Sequence, residues 1–150
     1  MAVLSESNAL TATNATAVIF VAAIAPAGHT IQGEFLDNAY GIGDVTNKEL
    51  KMTLQSIIKG GHIPQMKEVT ITLLPNTPSW RFFTDWYQAE EAGREVLECQ
   101  SLIITLPSIG QVVTYTNGFL TTAKVMPDVK KILQEGSFKL TFGKVVTASL

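Results

Sequence analysis

Two stretches of this chain, Val69-Thr70-Ile71-Thr72-Leu73 and Phe138-Lys139-Leu140-Thr141-Phe142, alternate strictly between apolar and polar side chains. Successive side chains of a β-strand point to opposite faces, so this period of two specifies a strand with one buried and one wet face. A third stretch, 49–56, repeats it: Leu50, Met52 and Leu54 point one way, and Glu49, Lys51, Thr53 and Gln55 the other. Against these stands one substantial helical pattern. Thr77 suits an N-cap, and Pro78 follows at the first helical position, where its missing N–H costs nothing. Phe82, Phe83, Trp86, Ala89 and Gly93 recur at spacings of three and four, an apolar stripe opposite Asp85, Gln88, Glu91, Arg94 and Glu95. The spacing predicts an amphipathic helix over about 78–95 that packs Phe82, Phe83, Trp86 and Ala89 onto a sheet.

The remaining segments fit around that frame. Residues 17–24 are apolar without alternation and read as a strand buried on both faces. Pro26-Ala27-Gly28 reads as a turn and 29–35 as a returning strand. Residues 36–48 form a long connection with Gly41, Gly43 and Tyr40; a loop of that length in a compact domain is usually functional. Residues 59–64, Lys-Gly-Gly-His-Ile-Pro, read as another turn or loop. A hairpin is expected from 99–106 and 111–116 around Pro107-Ser108-Ile109-Gly110, with 119–125 extending its second strand and 127–133 making one helical turn. About seven strands and one helix give a mainly β (α+β) fold: a β-sandwich or barrel-forming sheet with a flanking helix closing one side. The 150 residues make one domain, with 1–14 as a loose arm.

Composition narrows the function. Hydrophobic residues make up 46% and charged residues 16%, against roughly 25% charged in an average domain. This excludes a disordered chain and leaves an uncharged surface of the kind that meets other protein. A net charge of −2 lacks the basic footprint of a nucleic-acid-binding domain. No Lys or Arg precedes Lys48, so the apolar run 15–27 lacks the basic flank of an export signal; it is also shorter than a membrane span. Synthesis in the cytosol is the expectation, and Asn14-Ala15-Thr16 then carries no weight as a glycosylation site.

The search for chemistry yields no constellation. His29 and His62 have no closely spaced second ligand, and the single cysteine, Cys99, has neither a disulfide nor a metal partner in its neighbourhood. Ser108 lacks the glycine-flanked setting of a nucleophile elbow. Gly41-Ile42-Gly43 has Thr46 where a dinucleotide fingerprint needs its third glycine, and Gly143-Lys144 lacks the upstream glycine of a phosphate loop. Glu90 and Glu91 point about 100° apart on a helix, as solvated acids do. The cluster Trp80, Phe82, Phe83, Trp86 and Tyr87 is explained by a helix anchored to its sheet, with a stacking platform as the alternative. The expectation is a protein that is not an enzyme and takes neither metal nor cofactor.

One family accounts for the order of these segments. Gly33-Glu34-Phe35-Leu36-Asp37-Asn38-Ala39-Tyr40 and Asp44-Val45-Thr46-Asn47-Lys48-Glu49, then the 69–74 strand, the helix, Gly118-Phe119-Leu120, Met126-Pro127-Asp128 and the closing 138–142 strand resemble a tail tube protein of contractile-tailed (myovirus-type) bacteriophages. The resemblance spans about 15–146 and implies a structural virion protein, assembled in the host bacterial cytoplasm. It further implies hexameric rings of this chain stacked into a hollow tube inside a sheath, with DNA passing through without specific binding. The partners so implied are the tail sheath protein, the baseplate and tail terminator proteins, and a tape measure protein in the lumen. Within it, Glu49, Lys51, Thr53, Gln55, Thr70 and Thr72 are candidates for the lumen lining. Few cations there suit a sliding polyanion, because each phosphate–Lys contact adds retention; Lys51 counts against its own strand unless Glu49 offsets it. Asp37, Asn38, Tyr40, Asp44 and Asn47 are candidates for ring stacking, with an exposed loop as the competing reading. The helix is expected on the outside, toward the sheath.

Other readings remain open at this level. The inner tube of a tailocin or of a type VI secretion-like particle shares the fold. A monomeric β-sandwich binding module would use the Trp80–Tyr87 aromatics as an exposed site. A small enzyme would need His29 and His62 to converge on a shared acid.

Overall fold

The computed structural model describes residues 15–31 and 40–150. The expected arm 1–14, and Asp37 and Asn38 of the long connection, lie outside the described residues. Nine strands are described: β1 (Thr16–Val21), β2 (Ala25–Ile31), β3 (Tyr40–Ile42), β4 (Lys48–Met52), β5 (Ile58–His62), β6 (Lys67–Leu73), β7 (Cys99–Leu106), β8 (Gln111–Thr122) and β9 (Gly136–Ser149). One helix, α1 (Pro78–Gly93), lies between β6 and β7. Seven strands form one antiparallel sheet in the order β2-β1-β7-β8-β9-β6-β3, and β4 and β5 form a separate two-stranded sheet. The expected mainly β class, with one flanking helix, is what is found.

The large sheet is rolled. If flat, with strands about 4.8 Å apart, its two outermost strands would lie about 29 Å from each other. Instead the Tyr40 hydroxyl on β3 donates to the Ile31 carbonyl on β2 at 3.4 Å, joining the two outermost strands. Rolling lets the inward side chains of every long strand meet in one core. Ile19 and Val21, Leu102 and Ile104, Tyr115, Phe138, Leu140 and Phe142, and Val69, Ile71 and Leu73 all belong to it, with Trp80, Phe83 and Trp86 of α1. Phe83 stacks on Phe138 at 5.0 Å, and Trp80 meets the same ring edge-on at 5.1 Å.

Local chemistry places the helix as expected. Thr77 accepts from the Trp80 N–H at 3.3 Å, Pro78 begins the first turn, and Arg94 ends it in the left-handed region at φ 52°. The buried stripe is Ser79, Trp80, Phe83 and Trp86; it starts earlier than the sequence suggests and leaves Gly93 exposed. Phe82 and Ala89 are half-buried at its flank. Trp86 donates its indole N–H to the Leu97 carbonyl at 3.2 Å, and the Glu90 carboxylate accepts from the Leu97 N–H at 2.8 Å, tying the helix to its exit.

The structure corrects five local expectations. Residues 17–24 are not buried on both faces: β1 alternates, ends at Val21, and Val18 and Phe20 of its outer face cover Gly28 of β2. Those two apolar side chains are sheltered by a neighbouring strand, which is why the run looked uniformly buried. The turn accordingly falls at 22–24, and Pro26, Ala27 and Gly28 are part of β2. Residues 59–62 are strand β5, because the bare backbone of Gly60 lets Leu50 lie over it. The turn sits at 53–57 instead, with Ser56 at φ 62° and Thr53 accepting from the Ile57 N–H at 3.1 Å. The half-buried strand expected over 49–56 is therefore cut at Met52, and β4 is exposed along its length. Residues 127–133 form no helical turn: Val129 bridges Leu133, and the Gln134 N–H bonds the Asp128 carbonyl at 3.0 Å, closing a loop in place of a helical ladder.

The expected 111–116 strand and the first part of its 119–125 extension are one strand, β8, which runs unbroken through Asn117-Gly118 and ends at Thr122, short of 123–125. Asn117 takes φ 59°, and Gly118 is required because a side chain there would collide with the Phe142 ring on the paired strand β9.

Candidate assembly surfaces

Three surfaces organise the outside of the molecule. The first is the outward face of β6, β9 and the far half of β8. β6 pairs with β9 so that Thr72 stands opposite Ser137 and Thr70 opposite Lys139, and the two hydroxyls of the first pair hydrogen-bond at 3.1 Å. Thr121 of β8 donates to the Lys139 carbonyl at 3.1 Å and lies 3.3 Å from the Thr141 hydroxyl. Lys139 on this surface is paired with Glu68, whereas Lys144, further along β9, is exposed without an ion pair among the described residues. The result is a sheet face rich in hydroxyls around one Lys139–Glu68 pair, with Phe119 beside Thr141 and Lys144 toward its far end. Of the expected lumen residues, Thr70 and Thr72 are here.

The other four are not. Glu49 and Lys51 lie on β4, and Thr53 and Gln55 in the turn that follows. The structure thus divides the expected lumen set between two separate sheets. Ser137, Lys139, Thr141, Thr121 and Glu68 join Thr70 and Thr72 on this face beyond the expected set. The alternation over 138–142 already put Lys139 and Thr141 on a wet face; what it lacked was the pairing of β9 with β6.

The second surface is the β4–β5 hairpin. Lys48, Leu50 and Met52 share one face with Ile58, Gly60 and His62, and Glu49 and Lys51 share the other with Lys59 and Gly61. Leu50 is 62% and Met52 66% exposed, with Ile57 and Ile58 more than half exposed beside them. On the polar face Lys51 and Lys59 are direct cross-strand partners, and like charges so placed repel.

Of the expected stacking residues among those described, Asp44 and Asn47 lie on the exposed connection into this hairpin, and the Asn47 carbonyl accepts from the Ile63 N–H at 2.7 Å. Tyr40 belongs to β3, half-buried against the core, where it joins the edges of the roll.

The third surface is the irregular segment before β9, where Val125, Met126, Val129, Ile132 and Leu133 are each more than half exposed. A Lys124–Asp128 ion pair at 3.1 Å spans its start.

The histidines stay apart in function. The His29 ring bonds the buried Ser79 hydroxyl at 2.9 Å and stacks on Phe82 at 4.6 Å, fastening β2 to α1, whereas His62 sits exposed at the hairpin base. Among the described residues no group of three His, Cys, Asp or Glu is placed to hold a metal ion. Burial pushes the Cys99 thiol up to about 12, outweighing its hydrogen bond to the Ser101 carbonyl.

Comparisons with known proteins extend over the whole chain. One solved structure with the same fold is the cryo-EM structure of the anti-feeding prophage cap, a tube-terminating cap: TM-score 0.62, 10% identity, both chains fully covered. Another is a chain of an extracellular contractile injection system, the PVC sheath–tube complex in its extended state: TM-score 0.64, 10% identity, again with full coverage of both. At such identity the likeness is one of fold. No curated protein matches the sequence. The family model described as tail fiber protein gp32 matches residues 8–146, nearly the entire chain, and the protein therefore belongs to that family of tail-related structural proteins.

Proposed function

We propose that this protein is the subunit of the inner tube of a contractile tail, built from stacked hexameric rings through which DNA leaves the particle. The observation that carries this reading is the hydroxyl-rich outer face of β6, β9 and the far half of β8, whose Lys139 is paired with Glu68. A wall past which a polyanion slides needs water-compatible groups and few unpaired cations, since each lysine–phosphate contact releases counterions and adds retention. The full-length likeness to chains of a sheath–tube complex and of a tube-terminating cap supports the same reading. So does the amount of apolar surface left open on the hairpin and before β9, which is more than scattered surface residues account for. In this arrangement the sheath protein, the baseplate and the tail terminator contact the outside and ends of the tube, and a tape measure protein occupies its bore.

The test is negative-stain electron microscopy of the purified protein over a concentration series, with mass in solution measured alongside. Hollow tubes or six-fold rings are the expected result, and a monodisperse monomer at every concentration would overturn the tube reading. A second reading has its own support: the likeness to a tube-terminating cap favours a ring that closes the tube's end. Single rings that never lengthen, at any concentration, would select it.

A further inference from the structure

The β4–β5 hairpin stands apart from the rolled sheet as a two-stranded sheet of its own. Such a hairpin is marginally stable in water unless something covers it. Both its faces ask for a cover. Leu50, Met52 and Ile58 make one face apolar and exposed, and Lys51 and Lys59 stand opposed on the other. Residues 48–62 carry Lys48, Lys51 and Lys59 against Glu49 alone, and among the described residues none of the three lysines has an ion-pair partner.

The matching charge lies elsewhere on the same molecule. Residues 85–98 carry Asp85, Glu90, Glu91, Glu95 and Glu98 against Arg94 alone. Acids at the C-terminal end of a helix oppose its dipole and lower its stability, and α1 has no base in its last turn to offset them. Glu91, Glu95 and Glu98 are exposed and lack ion pairs among the described residues, and Val96 beside them is 70% exposed. A basic hairpin face and an acidic helix end are thus both uncovered.

We infer that the polar face of the β4–β5 hairpin of one copy docks on the acidic C-terminal end of α1 of another copy, Lys51 and Lys59 meeting Glu91 and Glu95. The inference rests on the tube reading in that it takes the partner to be a second copy. Two different patches of one chain meet, so the contact is head-to-tail and propagates into a ring or a filament. It also joins opposite charges that stay mutually repelled within their own patches. Salt weakens it, because exposed charges at this separation are screened within about a Debye length.

Charge exchange in the full chain tests the contact. Lys51→Glu with Lys59→Glu, and separately Glu91→Lys with Glu95→Lys, are each expected to lower the assembled fraction about tenfold or more in sedimentation velocity, the loss expected when like charges are forced together. The variant carrying all four changes is expected to assemble again. Circular dichroism establishes that each variant is folded, and Lys51→Gln with Lys59→Gln serves where the glutamates disturb the hairpin. Wild-type-like assembly by both two-residue variants would overturn this contact and leave the tube reading standing. So would failure of the folded four-residue variant to recover. A wild-type protein that stays monomeric at every concentration would instead overturn the tube reading, and this contact with it.

Discussion

Cys99 ties the chemistry of a single residue to the state of the whole fold. Desolvation raises its thiol to about 12 in the folded protein, against about 8.5 for an exposed cysteine. The folded state therefore keeps a proton that the unfolded state releases, and stability falls as pH rises above the unfolded value. We expect native protein at pH 8 to resist thiol alkylation and unfolded protein to react within minutes, followed by mass spectrometry. Denaturant midpoints should decline progressively between about pH 9 and 12, in part from this group. Trp86, Phe83 and Gly118 report packing instead. Trp86 is fully buried and also holds the Leu97 carbonyl, so Trp86→Ala should cost about 3–5 kcal/mol in denaturant unfolding. Gly118→Ala should cost about 1–3 kcal/mol, because the Phe142 ring cannot shift without disturbing Tyr115 at 5.1 Å.

Elements differ in how plainly they can be read from the sequence, and the difference has a physical origin. The segments 69–73 and 138–142 are legible because one face of each meets the core, so burial enforces a period of two. The helix start is legible because Thr77 and Pro78 satisfy the first turn by themselves, and Thr77→Ala should cost about 1 kcal/mol, measurable as a shifted thermal midpoint. The 49–56 alternation is a real strand signal in β4, yet its apolar face meets no core in the subunit. Periodicity tells which side chains share a face and is silent on what that face meets. Gly60 and Gly61 mislead for a related reason: glycine marks both turns and places where another group lies close, and here Leu50 occupies the space. The hydroxyl surface was half legible, through Thr70 and Thr72. Its other half depends on strand pairing between residues 65 positions apart, Thr72 and Ser137, which no local pattern encodes.

At the scale of the molecule, a rolled sheet with an uncovered hairpin is a part made for a larger object. Removing the hairpin's tip, residues 53–57, should leave the core and its thermal transition within about 1 kcal/mol, since none of its buried residues lies there. If the full chain assembles as proposed and the hairpin carries that assembly, the variant stays small in sedimentation velocity at concentrations where the full chain grows; unchanged assembly would remove the hairpin from the account. The roll itself is completed by a different kind of bond from those within it. Along the sheet each neighbour is held by a ladder of backbone hydrogen bonds, whereas the two outermost strands meet through the Tyr40 hydroxyl on the Ile31 carbonyl. A seam closed by a side chain is the place where such a roll can be loosened without breaking a ladder: Tyr40→Phe removes a hydrogen bond worth about 0.5–1.5 kcal/mol and leaves every strand pair as it is.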